Sequence, residues 1–364
     1  MHYRLHQKKR KEDDMTKELW KGNEAVAEAA LRAGMDFFAG YPITPSTEIL
    51  EYLAWRMPEL GRVFIQGESE IASINMILGA AACGSRCLTA SSGPGISLKA
   101  SGYSYAARYE LPFVVVNVQR WGTGLGSLDS GQSDYFRDVK GGGHGDYRHI
   151  VFAPSSVQEL IDEAYSAFDI AEKYRIGVTI LSEALLGQMV ENVEMPPFKT
   201  REIPLDWGID GTGDIGLQLH GDGDEQNEYR VQMFGEIESD LQDWEDYCIE
   251  DAEYVLVAFG LPARVCFEAV ERLREMGHKV GLIKAKTLWP FPIDGFRKAK
   301  HAKAFMSVET NTMGQMVEDV ALSVKKLRMD VPVYCYAHGS KLPRVMEVVR
   351  EAMGMINKTA KERY

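Results

Sequence analysis

Cysteine is scarce in this 364-residue chain: Cys83, Cys87, Cys248, Cys266 and Cys335 are odd in number and mostly far apart. That suits a reducing cytoplasm better than a disulfide framework. Cys83 and Cys87 have a spacing zinc tolerates, but no second Cys or His pair follows to complete a tetrahedral site or an iron–sulfur cluster. Small thiols beside alanines are read as packing. No apolar run approaches the ~18 residues of a membrane helix. Basic residues are outnumbered, 41 Lys and Arg against 53 Asp and Glu, for a formal net charge of -12. Nucleic acid is thereby disfavoured, because gripping a phosphate backbone rests on clustered Lys and Arg. The start, "MHYRLHQKKRKEDDMTK", lacks the apolar region of a secretory signal, and residues 1–14 are expected to form a flexible tail. The histidines are scattered, and no metal cluster or Ser/His/Asp arrangement can be assembled.

What is present is alternation. "NEAVAEAALRAG" has an N-cap residue in Asn23, helical spacing and Gly34 as its stop, and it feeds the strand "DFFAG". Short β-rich runs ("RCLTASS", "LPFVVVNV", "HIVFAP", "GVTILS") then alternate with helical stretches ("SEIASINMILGAA", "SVQELIDEAYSAFDIAEKY"). The fold class expected is α/β, with two doubly wound, mostly parallel-sheet domains. The first covers residues 15–200; an acidic, glycine-rich linker or excursion fills 201–250; the second covers 251–364 and ends in a helix from about Leu342.

Several strand ends open directly into helices, the edge at which such sheets bind ligands. In "FFAGYPITPSTEIL" Thr44 precedes Pro45, which reads as a helix start with Thr44 capping and Pro45 at the first helical position. The same turn is a candidate anion site, and the two readings are compatible. In "GESEIASINMILGAAACG" Glu70 opens a helix that is apolar around most of its circumference, so its carboxylate is expected to be buried and to have a task. Glu68 is read as a favourable first-turn acid. "TASSGPGISL" is, on pattern alone, a tight connection. Arg120 ends "PFVVVNVQR"; its bland reading is a surface ion pair, and its functional one a bidentate grip on a carboxylate. "GTGLGS" has the wrong spacing for a dinucleotide fingerprint. "GDGD" at 221–224 imitates a magnesium and diphosphate motif but reads as a solvated acidic loop.

Together, "GNEAVAEAALRAG", "FFAGYPITPSTEI", "ESEIASINMILGAA", "SSGPGISL", "VVVNVQR", "GQSDYF", "KGGGHGDYRHIVFAPSSVQEL" and "LWPFP" resemble the alpha-type subunit of 2-oxoacid:ferredoxin oxidoreductases. The wording is most similar to the branched-chain (2-oxoisovalerate) class, with a 2-oxoglutarate enzyme as the near alternative. The resemblance covers about Lys17 to Gly354. It implies a thiamin diphosphate pyrimidine-binding domain followed by a transketolase C-terminal-like domain. It also implies a heteromeric enzyme that converts a 2-oxoacid and coenzyme A to acyl-CoA and CO2 while reducing ferredoxin. A beta subunit would hold the diphosphate and Mg2+, and gamma and ferredoxin-like subunits would carry the iron–sulfur clusters and coenzyme A chemistry. By the same resemblance Glu70 would be the catalytic residue, hydrogen-bonded to the pyrimidine ring. Thr44 and Arg120 would contact the substrate carboxylate, and Ser92 and Gly93 would join Glu70 in binding the cofactor. A non-catalytic assembly subunit and an NAD-linked dehydrogenase are the alternatives from other classes; the retained Glu70, Thr44 and Arg120 argue against the first, and the failed fingerprint against the second.

Overall fold

Each parallel strand here is a short apolar run buried on both faces, and each intervening helix carries an apolar stripe to cover it, so strand and helix alternate along the chain. The computed structural model describes residues 17–203, 205–212 and 223–361. The tail expected over 1–14 lies outside the described residues. In order, the elements of the first half are β1 (Glu18–Lys21), α1 (Gly22–Arg32), β2 (Phe37–Gly40), α2 (Thr47–Glu59), β3 (Val63–Gln66), α3 (Glu70–Ala82), β4 (Cys87–Ser91), α4 (Pro94–Arg108), β5 (Phe113–Gln119), α5 (Tyr135–Lys140), β6 (Ile150–Phe152), α6 (Val157–Tyr174), β7 (Gly177–Glu183), α7 (Ala184–Gln188) and β8 (Val190–Val193). Then come α8 (Asp224–Asp240), β9 (Trp244–Tyr247), β10 (Tyr254–Phe259), α9 (Gly260–Glu275), β11 (Val280–Ala285), β12 (Thr287–Trp289), α10 (Ile293–Phe296), β13 (Ala304–Glu309), α11 (Met316–Lys326), β14 (Val333–Ala337) and α12 (Val345–Lys361).

The larger sheet has the order β12-β6-β7-β5-β4-β2-β3. All its pairs are parallel except β12 with β6. Side chains alternate across it: Val114, Val116 and Val118 of β5 enter a core with α1, α2 and α6, while Phe113 and Val115 pack with Ile74, Ile77 and Ile96 of α3 and α4. The second sheet, β14-β13-β10-β11-β9, is parallel but for β9. One of its faces packs under α9 and α12; the other, with Val257, Phe259, Ile283 and Phe305, shares the core of the first sheet.

The acidic stretch is more ordered than its composition suggests. Within 201–250 lie α8 and β9, and β9 is an edge strand of the second sheet. Gly223 and Asp224 of "GDGD" open α8 instead of a loop, with Asp224 and Glu225 in its first turn, where acids favour the helix dipole; Gly221 and Asp222 lie outside the described residues. The Trp289 end of "LWPFP" crosses back as β12 to pair with β6 of the first sheet. Sequence periodicity reports which face is buried, not which sheet a three-residue strand joins.

The strand order reverses at β2: β3 lies on one side of it and β4 on the other. Pairing of β2 with β3 runs the full strand, Phe37↔Val63 to Gly40↔Gln66. With β4 it is confined to Phe37↔Cys87 and Phe38↔Leu88. The two strands therefore part toward their carboxyl ends, and the loops that follow diverge around a crevice, the position where open α/β sheets bind ligands.

Candidate active site

Four strand ends meet at this crevice. After β2 comes the turn of residues 41–46. Here the helix-start reading of Thr44 and Pro45 is corrected: α2 begins at Thr47, and its N-cap is Ser46, with no side-chain cap bond. Ser46 closes the turn instead, its N–H (2.9 Å) and hydroxyl (2.8 Å) both donating to the Ile43 carbonyl. Asn23, expected as the cap of α1, is inside that helix and donates to the Pro45 carbonyl at 2.8 Å and to Glu48 at 2.8 Å, pinning the turn from behind. Thr44 is exposed, and the Thr44–Pro45 peptide is cis.

After β3, Gly67 donates to the Gly40 carbonyl at 2.9 Å, tying the second loop to the first. Ser69 caps α3, accepting from Ala72 N–H at 3.2 Å. Glu70 is the first residue of α3 and is buried, 6% exposed. Glu68, read as the first-turn acid, precedes the cap and is exposed; Glu70 occupies the first turn. No described residue donates a hydrogen bond to the Glu70 carboxylate.

After β4, Ser91 and Ser92 are fully buried and neither hydroxyl has a partner among the described residues. Gly93 has φ +46°, a region favouring glycine. A Cβ there would lie 3.2 Å from Arg120 Nε. At Gly95 a Cβ would lie 2.6 Å from Glu70 Oε1 and 2.2 Å from Ser91 Oγ, so this glycine leaves the room Glu70 occupies.

After β5, Arg120 is buried, which overturns its reading as a surface ion pair: it makes no ion pair among the described residues. Its Nη1 donates to the Thr44 carbonyl at 2.8 Å, while Nε has no acceptor. A buried guanidinium without a counter-anion is costly. Thr44, Arg120, Glu70, Ser92 and Gly93 thus line one crevice, linked through the two glycine contacts.

Two further residues of this site carry little signal in the sequence. Arg137 of α5 donates to the Gly93 carbonyl at 2.9 Å and is itself held by Asp134 at 2.7 Å. Lys99 of α4, wholly buried, donates to the Thr89 hydroxyl at 3.1 Å. A lone lysine in the otherwise uncharged run "GPGISLKASGYSYAA" was the available clue.

Known proteins similar to this chain identify its family. Residues 28–206 match the family described as "Pyruvate flavodoxin/ferredoxin oxidoreductase, thiamine diP-bdg", and residues 252–348 match "Pyruvate:ferredoxin oxidoreductase core domain II". Ketoisovalerate oxidoreductase subunit VorB of Methanothermobacter thermautotrophicus is 43% identical over 349 residues, covering 93% of this chain and 99% of that protein. 2-Oxoglutarate synthase subunit KorA of Methanocaldococcus jannaschii is 36% identical over 93% of this chain and 100% of its own length. Among solved structures, 2-oxoglutarate:ferredoxin oxidoreductase from Magnetococcus marinus aligns with a TM-score of 0.83 at 26% identity over 93% of this chain; the match spans 65% of that longer chain. A split-gene transketolase aligns with a TM-score of 0.60 at 13% identity, a likeness of fold alone. On sequence identity along nearly its whole length, the chain belongs to the 2-oxoacid:ferredoxin oxidoreductase family, as one of its subunits.

Proposed function

We propose that this chain is the pyrimidine-side subunit of a thiamin diphosphate-dependent 2-oxoacid:ferredoxin oxidoreductase, acting on 2-oxoisovalerate or a similar branched-chain 2-oxoacid. The observation that carries the reading is the crevice between β2 and β4. It gathers a buried guanidinium, a buried carboxylate and two unpartnered serine hydroxyls at one strand edge. Those orphaned polar atoms, with Glu70 and Arg120 held close to the backbone at Gly95 and Gly93, fit a polar heteroaromatic ring beside an anionic substrate. When bound, thiamin diphosphate supplies the nucleophilic carbon and the electron sink for decarboxylation.

In this reading Glu70 holds a proton at the pyrimidine ring nitrogen, and Ser92 and Gly93 line the ring. Arg120 and Thr44 hold the 2-oxoacid carboxylate. Charge neutralisation by Arg120 favours binding, and departure of that charge as CO2 removes the attraction, so product is not retained. The diphosphate and Mg2+ lie on a beta subunit; gamma and ferredoxin-like subunits carry the iron–sulfur clusters, coenzyme A chemistry and electron transfer to ferredoxin. Exposed Ile71, Leu98, Tyr105, Leu125 and Leu128 support a partner on this side. No described helix is long and apolar enough to cross a membrane; a cytoplasmic complex is proposed.

A branched-chain substrate is favoured over 2-oxoglutarate because VorB relatives are 43% and 45% identical whereas the KorA relatives are 32–36%. The test is reconstitution with the partner subunits and a panel of 2-oxoisovalerate, 2-oxoglutarate and pyruvate, reading coenzyme A-dependent reduction of ferredoxin. Preference for 2-oxoglutarate would overturn the substrate assignment; full activity without this chain would favour the assembly-subunit alternative.

A further inference from the structure

Lys99 is a fully buried cation with one hydrogen-bond partner among the described residues, the Thr89 hydroxyl. Thr89 in turn donates to the Ala39 carbonyl at 2.7 Å, just beyond Leu88, where the β2–β4 backbone ladder ends. Lys99 therefore sits beneath the floor of the crevice. Gly95 and Lys99 are four residues apart on α4 and share a face, their Cβ positions about 6 Å apart. Side chains on a helix lean toward its N-terminus, so the Lys99 stem leans toward the place where Gly95 admits Glu70. An ammonium has three donors, and a buried one with a single neutral partner needs a counter-charge.

We propose that Lys99 is the buried counter-charge of Glu70, a positioning residue that holds the Glu70 carboxylate at the crevice by balancing its charge from below. Its consequence for turnover rests on the role proposed above for Glu70; the pairing itself does not. Among the described residues no other neighbour supplies a competing charge. Thr89 and Ser91 of β4 and Ala39 of β2 do not titrate in the accessible range. On α4 the next titratable group, Tyr103, is held neutral by burial, its phenol raised well above the ordinary value. Asp138 and Arg137 act on Tyr103, whereas among the described residues the charged group that acts on Lys99 is Glu70, which forms no direct ion pair with it. Burial pulls Lys99 down to about 8, and Glu70 opposes that fall.

The experiment is a double-mutant cycle in the assembled enzyme stripped of cofactor, comparing wild type, Lys99→Met, Glu70→Gln and the pair by melting temperature. Lys99→Met should lower the midpoint by about 5 °C when Glu70 is present and by no more than about 1 °C when residue 70 is Gln. A packing role would give equal losses in both backgrounds, and that result overturns the proposal. In the loaded enzyme, Lys99→Met should lower kcat about tenfold at pH 7 and leave KM for the 2-oxoacid within about twofold; wild type should lose kcat as pH rises through about 8, and Lys99→Met should lack that alkaline limb.

Should Lys99→Met not assemble, the unsubstituted lysine still reports. A lysine whose folded value is depressed adds stability as pH rises from the folded toward the unfolded value. That rise should begin near pH 8 in wild type and at lower pH in Glu70→Gln; an unchanged onset overturns the pairing. Near-normal turnover of Glu70→Gln would refute the catalytic assignment of Glu70 while leaving the cycle to decide the pair.

Discussion

Two neighbourhoods on the same edge of the larger sheet contrast sharply. At the ends of β4 and β5, Ser91, Ser92 and Arg120 Nε are buried without partners. One strand over, at the end of β7, Glu183 is as deeply buried yet saturated: it accepts from Leu261 N–H at 2.8 Å, Gln132 Nε2 at 3.0 Å and the Ser130 hydroxyl at 3.3 Å. Gln132 also bonds Thr310 N–H and the Phe259 carbonyl, each at 3.0 Å. Tyr135, from the same "GQSDYF" stretch, donates to Asp319 at 2.7 Å. The saturated edge joins the two sheets; the unsaturated one is left open for a ligand. Saturation, not burial, separates the structural carboxylate from the one proposed for chemistry.

The widest separation of the two edges comes from Glu70. Glu70→Gln keeps the shape that Gly95 accommodates and removes the carboxylate. Turnover of the reconstituted complex should fall about 1000-fold, near 4 kcal/mol, with assembly intact. Near-normal turnover would erase the distinction between the edges. Glu183→Gln is the counterpart, and its readout is stability. Burial raises Glu183 to about 7, with the three hydrogen bonds lowering it in part. The folded state then binds more protons than the unfolded one between about pH 4 and 7, so stability falls as pH rises through that window and levels off above it. The fall is roughly 3 kcal/mol. Glu183→Gln should abolish it, melting like wild type at pH 4 and higher than wild type at pH 8.

Much of this was legible beforehand, for a physical reason. Parallel strands buried on both faces leave long apolar runs, so the alternation was plain, and Glu70 stood out because a carboxylate in an alanine- and isoleucine-rich helix is expensive. What escaped was anything depending on contacts distant in sequence. Nothing in "TPSTE" reveals that Ser46 closes the turn on Ile43 and that α2 starts two residues later than Pro45 suggested. Arg120 looked like surface because its partners, Thr44 and Gly93, lie 76 and 27 residues away. The acidic stretch hid α8 and β9 because β9, among the described strands, pairs with β11 alone at the sheet edge, and edge strands tolerate charge.

Arg120→Lys probes the open edge with the charge retained. Lysine is a point donor and cannot keep both the Thr44 carbonyl and a second acceptor in a fixed fork. KM for the 2-oxoacid should rise about 30-fold, near 2 kcal/mol, with little change in melting temperature. An equal loss of stability would move Arg120 to the structural side of the comparison.

Thr44→Val is the smallest change and the most discriminating. Arg120 is held by the Thr44 main-chain carbonyl, which valine retains, while the hydroxyl has no hydrogen bond to the described residues and caps no helix. Loss of a cap would cost about 1 kcal/mol of stability; here none should be lost. If the hydroxyl instead reaches the 2-oxoacid carboxylate, one hydrogen bond to a charged group disappears, and KM should rise roughly fivefold, near 1 kcal/mol. Unchanged kinetics would leave Thr44 a support for Arg120 through its backbone alone, and substrate recognition at that edge would fall to the guanidinium.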